Sequence, residues 1–134
     1  MAFLKLYRNK LQENYNYLDQ LFQERDITWG VVSKLLCGNV IYLEELIKLG
    51  VTEIHDSRIS NLKKIKKLNS NIQTVYIKPP SKRNIEKIVK YADISFNTEI
   101  YTIQLLSDEA KRQNKSHGII IMIEMGDLRE GVLG

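Results

Sequence analysis

The sequence is poor in cysteine, histidine and proline, and it has no long apolar run. Its 134 residues include one cysteine, Cys37, so no internal disulfide can form, and we expect a reducing, cytoplasmic location. The two isolated histidines, His55 and His117, do not have the spacing of a zinc site, and we expect no bound metal. No apolar stretch is long enough to span a bilayer. Residues 1–10 are already charged, so we expect neither a signal peptide nor a membrane partner.

The chain also has little excess of positive over negative charge, with a formal net charge of only +4. One tight group of lysines occurs, and no aromatic residues alternate with it: Lys63, Lys64, Lys66 and Lys67. On a helix such a group is typical of a solvated face, so we expect no nucleic-acid partner. The composition, 43% hydrophobic and 27% charged, is that of a globular protein. We treat residues 1–134 as a single unit.

What the sequence does contain is a short apolar run that ends on a lysine, residues 29–38 (WGVVSKLLCG). A run of this kind, bounded by a turn signal, predicts a buried parallel strand over residues 29–34. Alternation along a strand places Gly30, Val32 and Lys34 on one face. Lys34 is therefore open to two interpretations. It emerges into water at the strand end, or it is a desolvated, nucleophilic lysine of the Schiff-base type.

Helical and extended patterns alternate along the rest of the chain, with Asn39 and Thr98 as predicted helix caps. This alternation predicts an α/β fold with an all-parallel sheet. Two architectures fit: about five of the eight strands of a (β/α)8 barrel, which usually takes about 250 residues, or a small doubly wound parallel sheet. Either one places functional groups at the carboxyl ends of the strands. The predicted ends lie near Lys34, Asp56, Lys78, Asn97 and Met125.

Four segments come in an order that is similar to one known family. They are residues 31–34 (VVSK), 56–63 (DSRISNLK), 92–99 (ADISFNTE) and 125–131 (MGDLREG). Together they resemble the N-terminal barrel portion of the alanine racemase-like, pyridoxal-phosphate-dependent enzymes, and especially the alanine/ornithine racemase branch. The resemblance covers nearly all of this chain but only about the first third to half of a full enzyme.

The resemblance implies roles for particular residues. In that family a lysine at the end of the first barrel strand holds pyridoxal phosphate as a Schiff base, and this role falls on Lys34. An arginine after the fifth strand lies near the phenolic oxygen of the cofactor, and this role falls on Arg129. Lys78 stands where the ornithine-type branch often has a basic residue. Arg58 and Asn97, at predicted strand ends, are further candidates for lining the cofactor pocket.

Two departures from the family pattern favour the ornithine-type branch over a strict alanine racemase. Many alanine racemases carry a carbamylated lysine seven residues before the arginine, whereas this chain has Met122 there. Residues 37–38 (CG) replace a stretch that contains a tyrosine in ordinary alanine racemases.

We therefore expect an amino-acid racemase of the alanine or ornithine type that works through pyridoxal phosphate and forms a homodimer. The alternative is a non-catalytic, pyridoxal-phosphate-binding protein of the homeostasis type. A nucleotide-binding domain is disfavoured, because no G-x-G-x-x-G or Walker loop follows any predicted strand. The family's phosphate-holding loops and its second base, a tyrosine of the partner subunit, fall outside this chain. We thus expect the chain alone to be inactive and to bury its open sheet edges by self-association.

Overall fold

The computed structural model describes residues 5–133, and this part of the chain alternates five parallel strands with helices. The strands are β1 (Val31–Val32), β2 (Glu53–Asp56), β3 (Gln73–Tyr76), β4 (Ile94–Asn97) and β5 (Gly118–Ile121). The helices are α1 (Arg8–Gln23), α2 (Val40–Lys48), α3 (Ile59–Leu68), α4 (Ile85–Tyr91) and α5 (Ile100–Arg112). Short 3₁₀ turns follow β1 at Lys34–Leu36 and precede α4 at Lys82–Asn84. No helix within residues 5–133 is long and apolar enough to cross a membrane.

The order of the strands decides between the two predicted architectures. Each strand pairs in parallel with its neighbour in sequence, giving the order β1-β2-β3-β4-β5. A doubly wound sheet would reverse its strand order at a switch point, and this sheet has no reversal. The prediction of consecutive barrel-type βα units is confirmed, and the doubly wound alternative is wrong.

The two faces of the sheet have different surroundings. The row Val31, Ile54, Thr74 belongs to the face that carries the helices, and the main core lies between this face and α2–α5. The fully buried apolar side chains of that core are Leu43, Ile54, Leu62, Ile65, Ile88 and Leu106. The opposite face carries the row Val32, His55, Val75, Ile94 and Gly118. In a closed barrel this second face points inward.

Gly30 leaves room for the side chains of Glu53 and His55 on the inner face of the sheet. A Cβ atom on Gly30 would lie 2.5 Å from Nε2 of His55 and 2.6 Å from Oε1 of Glu53. These two side chains contact each other directly, with 2.5 Å between Nε2 and Oε1. Any larger residue at position 30 would displace this pair.

The first strand is shorter than the predicted 29–34, because side-chain hydrogen bonds bend the chain at Ser33. The Ser33 backbone N–H still donates to the carbonyl of His55 at 2.9 Å, but φ of −94° and ψ of 0° end the extended conformation. The buried Ser33 hydroxyl donates to Oδ2 of Asp56 at 2.9 Å. Lys34 therefore begins a 3₁₀ turn instead of closing the strand.

The fifth strand also ends early, at Ile121 rather than near Met125. The N–H of Glu124 donates to the carbonyl of Val132, and the N–H of Val132 donates to that of Met122. This exchange folds residues 124–131 into a loop over the strand end.

The predicted helix caps agree in part with the structure. The Asn39 carboxamide oxygen accepts hydrogen bonds from the N–H groups of Ile41 and Tyr42, as an N-cap does. The cap of α5 is Glu99 instead of Thr98, and it makes no side-chain cap hydrogen bond.

A chain of hydrogen bonds ties β4 to the segment before β5. Asn97 Nδ2 donates to Ser95 Oγ at 3.0 Å, and Ser95 Oγ lies 2.9 Å from Nε2 of His117. Nδ1 of His117 lies 3.1 Å from the carbonyl oxygen of Ala92, which can only accept. This places the proton of neutral His117 on Nδ1, so that Nε2 accepts from the Ser95 hydroxyl. Burial lowers the pKa of His117, although the Ala92 carbonyl and Asp93 partly oppose the shift.

The free energy of unfolding should fall as the pH drops below about 6.5, the pKa of an unperturbed histidine. The unfolded chain then binds a proton that folded His117 binds less readily, so protonation favours unfolding. Urea denaturation between pH 7.5 and 5.5 measures this. The His117→Gln variant should lose this part of the pH dependence. An unchanged slope in that variant would show that His117 is not responsible.

Candidate active site

A cavity of about 530 Å³ opens at the carboxyl ends of the strands, on the inner face of the sheet. Its volume is in the range of small-molecule and cofactor sites. It is lined by Val32, Lys34, His55, Ser57, Ile77, Lys78, Pro79, Phe96, Met122, Arg129 and Glu130. This is the edge of a parallel βα series at which active sites form.

Lys34 reaches the cavity from the 3₁₀ turn after β1. Its side chain is exposed on the same side of the sheet as Val32 and His55. The preceding residue, Ser33, is anchored on the helix side by Asp56. The backbone of Lys34 is thus attached to the end of β2 by a buried hydrogen bond, while its amine remains accessible.

Arg129 enters the same cavity from the loop after β5. The loop is organised by the Glu124 carboxylate, whose Oε1 accepts hydrogen bonds from the backbone N–H groups of Gly126 at 2.5 Å and Leu128 at 3.0 Å. These backbone hydrogen bonds, the one from Leu128 first, lower the pKa of Glu124 despite some desolvation. Glu124 therefore stays ionised at neutral pH and holds the loop that carries Arg129.

Aromatic and polar side chains of the inner face line the same cavity as Lys34 and Arg129. His55 contacts Glu53 through Nε2, and its ring meets Phe96 edge-on with 6.2 Å between centroids. Ser57, Phe96 and Glu130 lie in the segments that carry the family resemblance, but the sequence alone gave none of them a role of its own. His55 was not among the predicted site residues. His55 and Ser57 alternate with Glu53 on one face of β2 and its extension, a signal that strand periodicity contains.

The structure does not bring two of the predicted site residues to this cavity. Asn97 is fully buried on the helix side of β4, where Nδ2 donates to the carbonyl oxygen of Ser95 at 2.7 Å. Arg58 is the exposed residue that precedes α3, and its N–H donates to Oδ1 of Asp56 at 2.9 Å. Lys34, Arg129 and Lys78 do line the cavity, as does Met122, at the position where many alanine racemases have a lysine.

Two curated relatives match most of the chain. Ornithine racemase of Acetoanaerobium sticklandii is 40% identical over 123 residues, which are 92% of this chain. The chain is similar to the N-terminal part of the alanine racemase-like, pyridoxal-phosphate-dependent enzymes. A second relative, lysine racemase of Thermotoga maritima, is 26% identical over 123 residues. The chain spans about a third of the length of both relatives, 34% and 35%.

Several solved structures have the same fold as this chain. D-Threonine aldolase from Filomicrobium marinum superposes with a TM-score of 0.74 at 12% identity, covering 90% of this chain and 34% of its own. Alanine racemase of Clostridium difficile gives 0.63 at 16%, covering 70% and 25%. PipY of Synechococcus elongatus, with PLP bound, gives 0.64 at 12%, covering 81% and 55%. No family model matches the chain.

Proposed function

We propose that this chain supplies the cofactor-lysine side of the active site of an amino-acid racemase that uses pyridoxal phosphate. The observation that carries the proposal is that Lys34 and Arg129 line one cavity at the carboxyl ends of parallel strands. The 40% identity to an ornithine racemase supports it. Lys34 holds the cofactor, and its amine is the catalytic group.

The residues of the cavity fit such a cofactor. Three cations, Lys34, Lys78 and Arg129, line the cavity, and they complement the negative charges of a phosphorylated pyridoxal. Phe96 and Met122 add apolar surface against which an aromatic ring can pack. The chemistry that pyridoxal phosphate supplies when bound is an electron sink, which acidifies the Cα proton of an amino acid.

The chain's own residues then bind, orient and move the proton. Lys34 would hold the cofactor through its amine, and the same amine, when free, would carry a proton to or from Cα of the amino acid. The planar guanidinium of Arg129 donates hydrogen bonds to an anionic oxygen of the cofactor ring. Lys78 offers a further positive charge for the carboxylate of the amino acid. The buried bond between Ser33 and Asp56 keeps the backbone of Lys34 in position.

Partners and location follow from the same proposal. The substrate is an amino acid, the assembly is a homodimer, and the compartment is the cytoplasm. Exposed apolar side chains along the inner sheet face and after β5 support self-association, among them Val32 at 49% and Ile123 at 62% exposure. We propose neither a nucleic-acid nor a membrane partner.

Absorbance and chiral analysis test the function on the protein in its full natural length. After incubation with pyridoxal phosphate and removal of the free cofactor, we expect a yellow protein that racemises at least one amino acid, as measured by chiral chromatography. Sedimentation of the same sample should give a dimer, and cell fractionation should recover the protein with the cytoplasm. A protein that does not retain the cofactor would contradict the proposal.

A second candidate function is cofactor binding without catalysis. The structural similarity to PipY with PLP bound favours it, because PipY matches 81% of this chain. A yellow protein that racemises no amino acid in a full panel would decide for this alternative.

A further inference from the structure

One of the four clustered lysines of α3 does more than contribute to a solvated face. Nζ of Lys64 donates a hydrogen bond to the carbonyl oxygen of Gly38, 2.8 Å away in a partly buried setting. Gly38 comes four residues after Lys34, at the end of the turn that carries this lysine. The proposed function leaves Lys64 without a role, although it contacts the segment on which the cofactor lysine depends.

The turn that carries Lys34 has an uncommon backbone conformation. It begins as the 3₁₀ turn Lys34–Leu36 and ends with two residues in the left-handed region, Cys37 at φ 51° and Gly38 at φ 67°. Hydrogen bonds inside the turn are donated by the N–H groups of Leu36, Cys37 and Asn39. A left-handed cysteine is unfavourable by itself and persists where the surrounding structure holds it. The conformation of the turn therefore depends on contacts with other elements.

Contacts with β2 and α3 hold both ends of this turn. At its start, the Ser33 hydroxyl donates to Oδ2 of Asp56 at 2.9 Å. At its end, Lys64 donates to the carbonyl oxygen of Gly38. Asn61 lies between these two contacts, because its Nδ2 donates to both carboxylate oxygens of Asp56, at 3.1 and 3.2 Å. The other side of Asn61 packs against Gly38, where a Cβ atom would lie 2.8 Å from Cγ of Asn61.

The two contacts from α3 have different strengths and positions. Asn61 and Lys64 are three residues apart, so they lie on the same face of the helix. Asn61 is 3% exposed and forms the inner contact. Lys64 forms the outer contact, and its positive charge makes the hydrogen bond to a carbonyl oxygen stronger than one between neutral groups. Loss of this contact would release the Gly38 end of the turn, while the Ser33 end stays bound to Asp56.

We propose that Lys64 is a positioning residue, which holds the turn after β1 in the conformation that presents Lys34 to the cavity. This inference rests on the proposed function, because it concerns the cofactor lysine of that function. Lys64 is not among the described residues that line the cavity, so it acts through the backbone of the turn. When the turn is released, the amine of Lys34 occupies the bonding geometry for a smaller fraction of the time, and capture of the cofactor slows.

The uptake of pyridoxal phosphate by the cofactor-free, full-length protein measures this effect. Stopped-flow absorbance gives the rate, and borohydride reduction with peptide mapping shows how much of the label Lys34 carries. Lys64→Met keeps the length of the side chain but removes the ammonium group, and it should slow the uptake about tenfold. Lys64→Arg keeps a cationic donor and should restore most of the rate. Lys67→Met, at an exposed lysine of the same helix, is the matched control and should leave the rate unchanged.

Hydrogen exchange in the cofactor-free protein reports on the turn itself, independently of any activity. Mass spectrometry of a peptide that spans residues 34–39 follows the three hydrogen-bonded N–H groups of the turn together. In Lys64→Met these groups should exchange about tenfold faster than in the wild type, whereas Lys67→Met should leave them unchanged. The rest of the chain should exchange at the wild-type rate in both variants. Urea denaturation verifies that each variant folds.

The outcomes separate this inference from the function on which it rests. A Lys64→Met protein with the wild-type rate of uptake, or with wild-type exchange at residues 34–39, overturns the positioning role alone. Faster exchange throughout the chain shows a general loss of stability and overturns that role as well. A wild-type protein that takes up no pyridoxal phosphate overturns the proposed function and the positioning role together.

Discussion

Replacing Lys34 by alanine should remove both the cofactor absorbance and the racemase activity of the full-length protein. Lys34 is the one cavity residue that we propose to bond covalently with pyridoxal phosphate, and no other group in the cavity can take over its attachment and proton transfer together. Loss of such a nucleophile lowers turnover by at least about a thousandfold. Absorbance spectra and chiral chromatography measure the two effects.

Lys78 is the matched control, because it is a second lysine that lines the same cavity. Lys78→Ala should leave the protein yellow. Borohydride reduction of the wild-type protein fixes the cofactor to its lysine, and peptide mapping should find the label on Lys34. Label on Lys78, or an unchanged yellow colour in Lys34→Ala, would contradict the assignment.

The Asp56→Ala variant should lose about 3–4 kcal/mol of unfolding free energy, since several buried hydrogen bonds to a charged group disappear at once. Asp56 is fully buried and accepts from three residues. The donors are the Ser33 hydroxyl at 2.9 Å, the Arg58 N–H at 2.9 Å and Asn61 Nδ2 at 3.1 and 3.2 Å. Alanine leaves all of them without an acceptor. Urea denaturation at pH 7 measures the change.

Two further variants define the mechanism of this loss. Asp56→Asn keeps one acceptor oxygen but turns an amide N–H₂ toward donors, so we expect an intermediate effect. Asp108→Asn, on the exposed surface of α5, should change the free energy by less than about 0.5 kcal/mol. An Asp56→Ala protein as stable as the Asp108→Asn control would show that the buried hydrogen bonds contribute little.

The alternation of side chains along the strands indicates more residues of the site than the sequence analysis took from it. Applied to β1, it put Gly30, Val32 and Lys34 on one face, and Lys34 does line the cavity. The same alternation in β2 and β4 selects Ser57 and Phe96 for that face. It puts Arg58 and Asn97 on the other. Alternation does not say which side chains of neighbouring strands share a face, because that depends on the register of the strands. The structure gives this register through the pairing of Val32 with His55.

The exact ends of the strands could not be predicted from the sequence, for a different reason. Apolar patterns extended β1 to residue 34 and β5 to residue 125. The actual ends depend on hydrogen bonds between residues that are not neighbours in sequence, such as that from Ser33 to Asp56.

The unreversed strand order also governs how the chain assembles during synthesis. Each strand from β2 onward pairs with the one made just before it. The connections between paired strands are therefore short, and each of β2–β5 pairs with a strand that has already been synthesised. Each βα unit can dock on its predecessor as it emerges, so the growing edge is always the most recent strand. We therefore expect folding to advance in the direction of translation, with the most recently made strand at the open edge of the sheet.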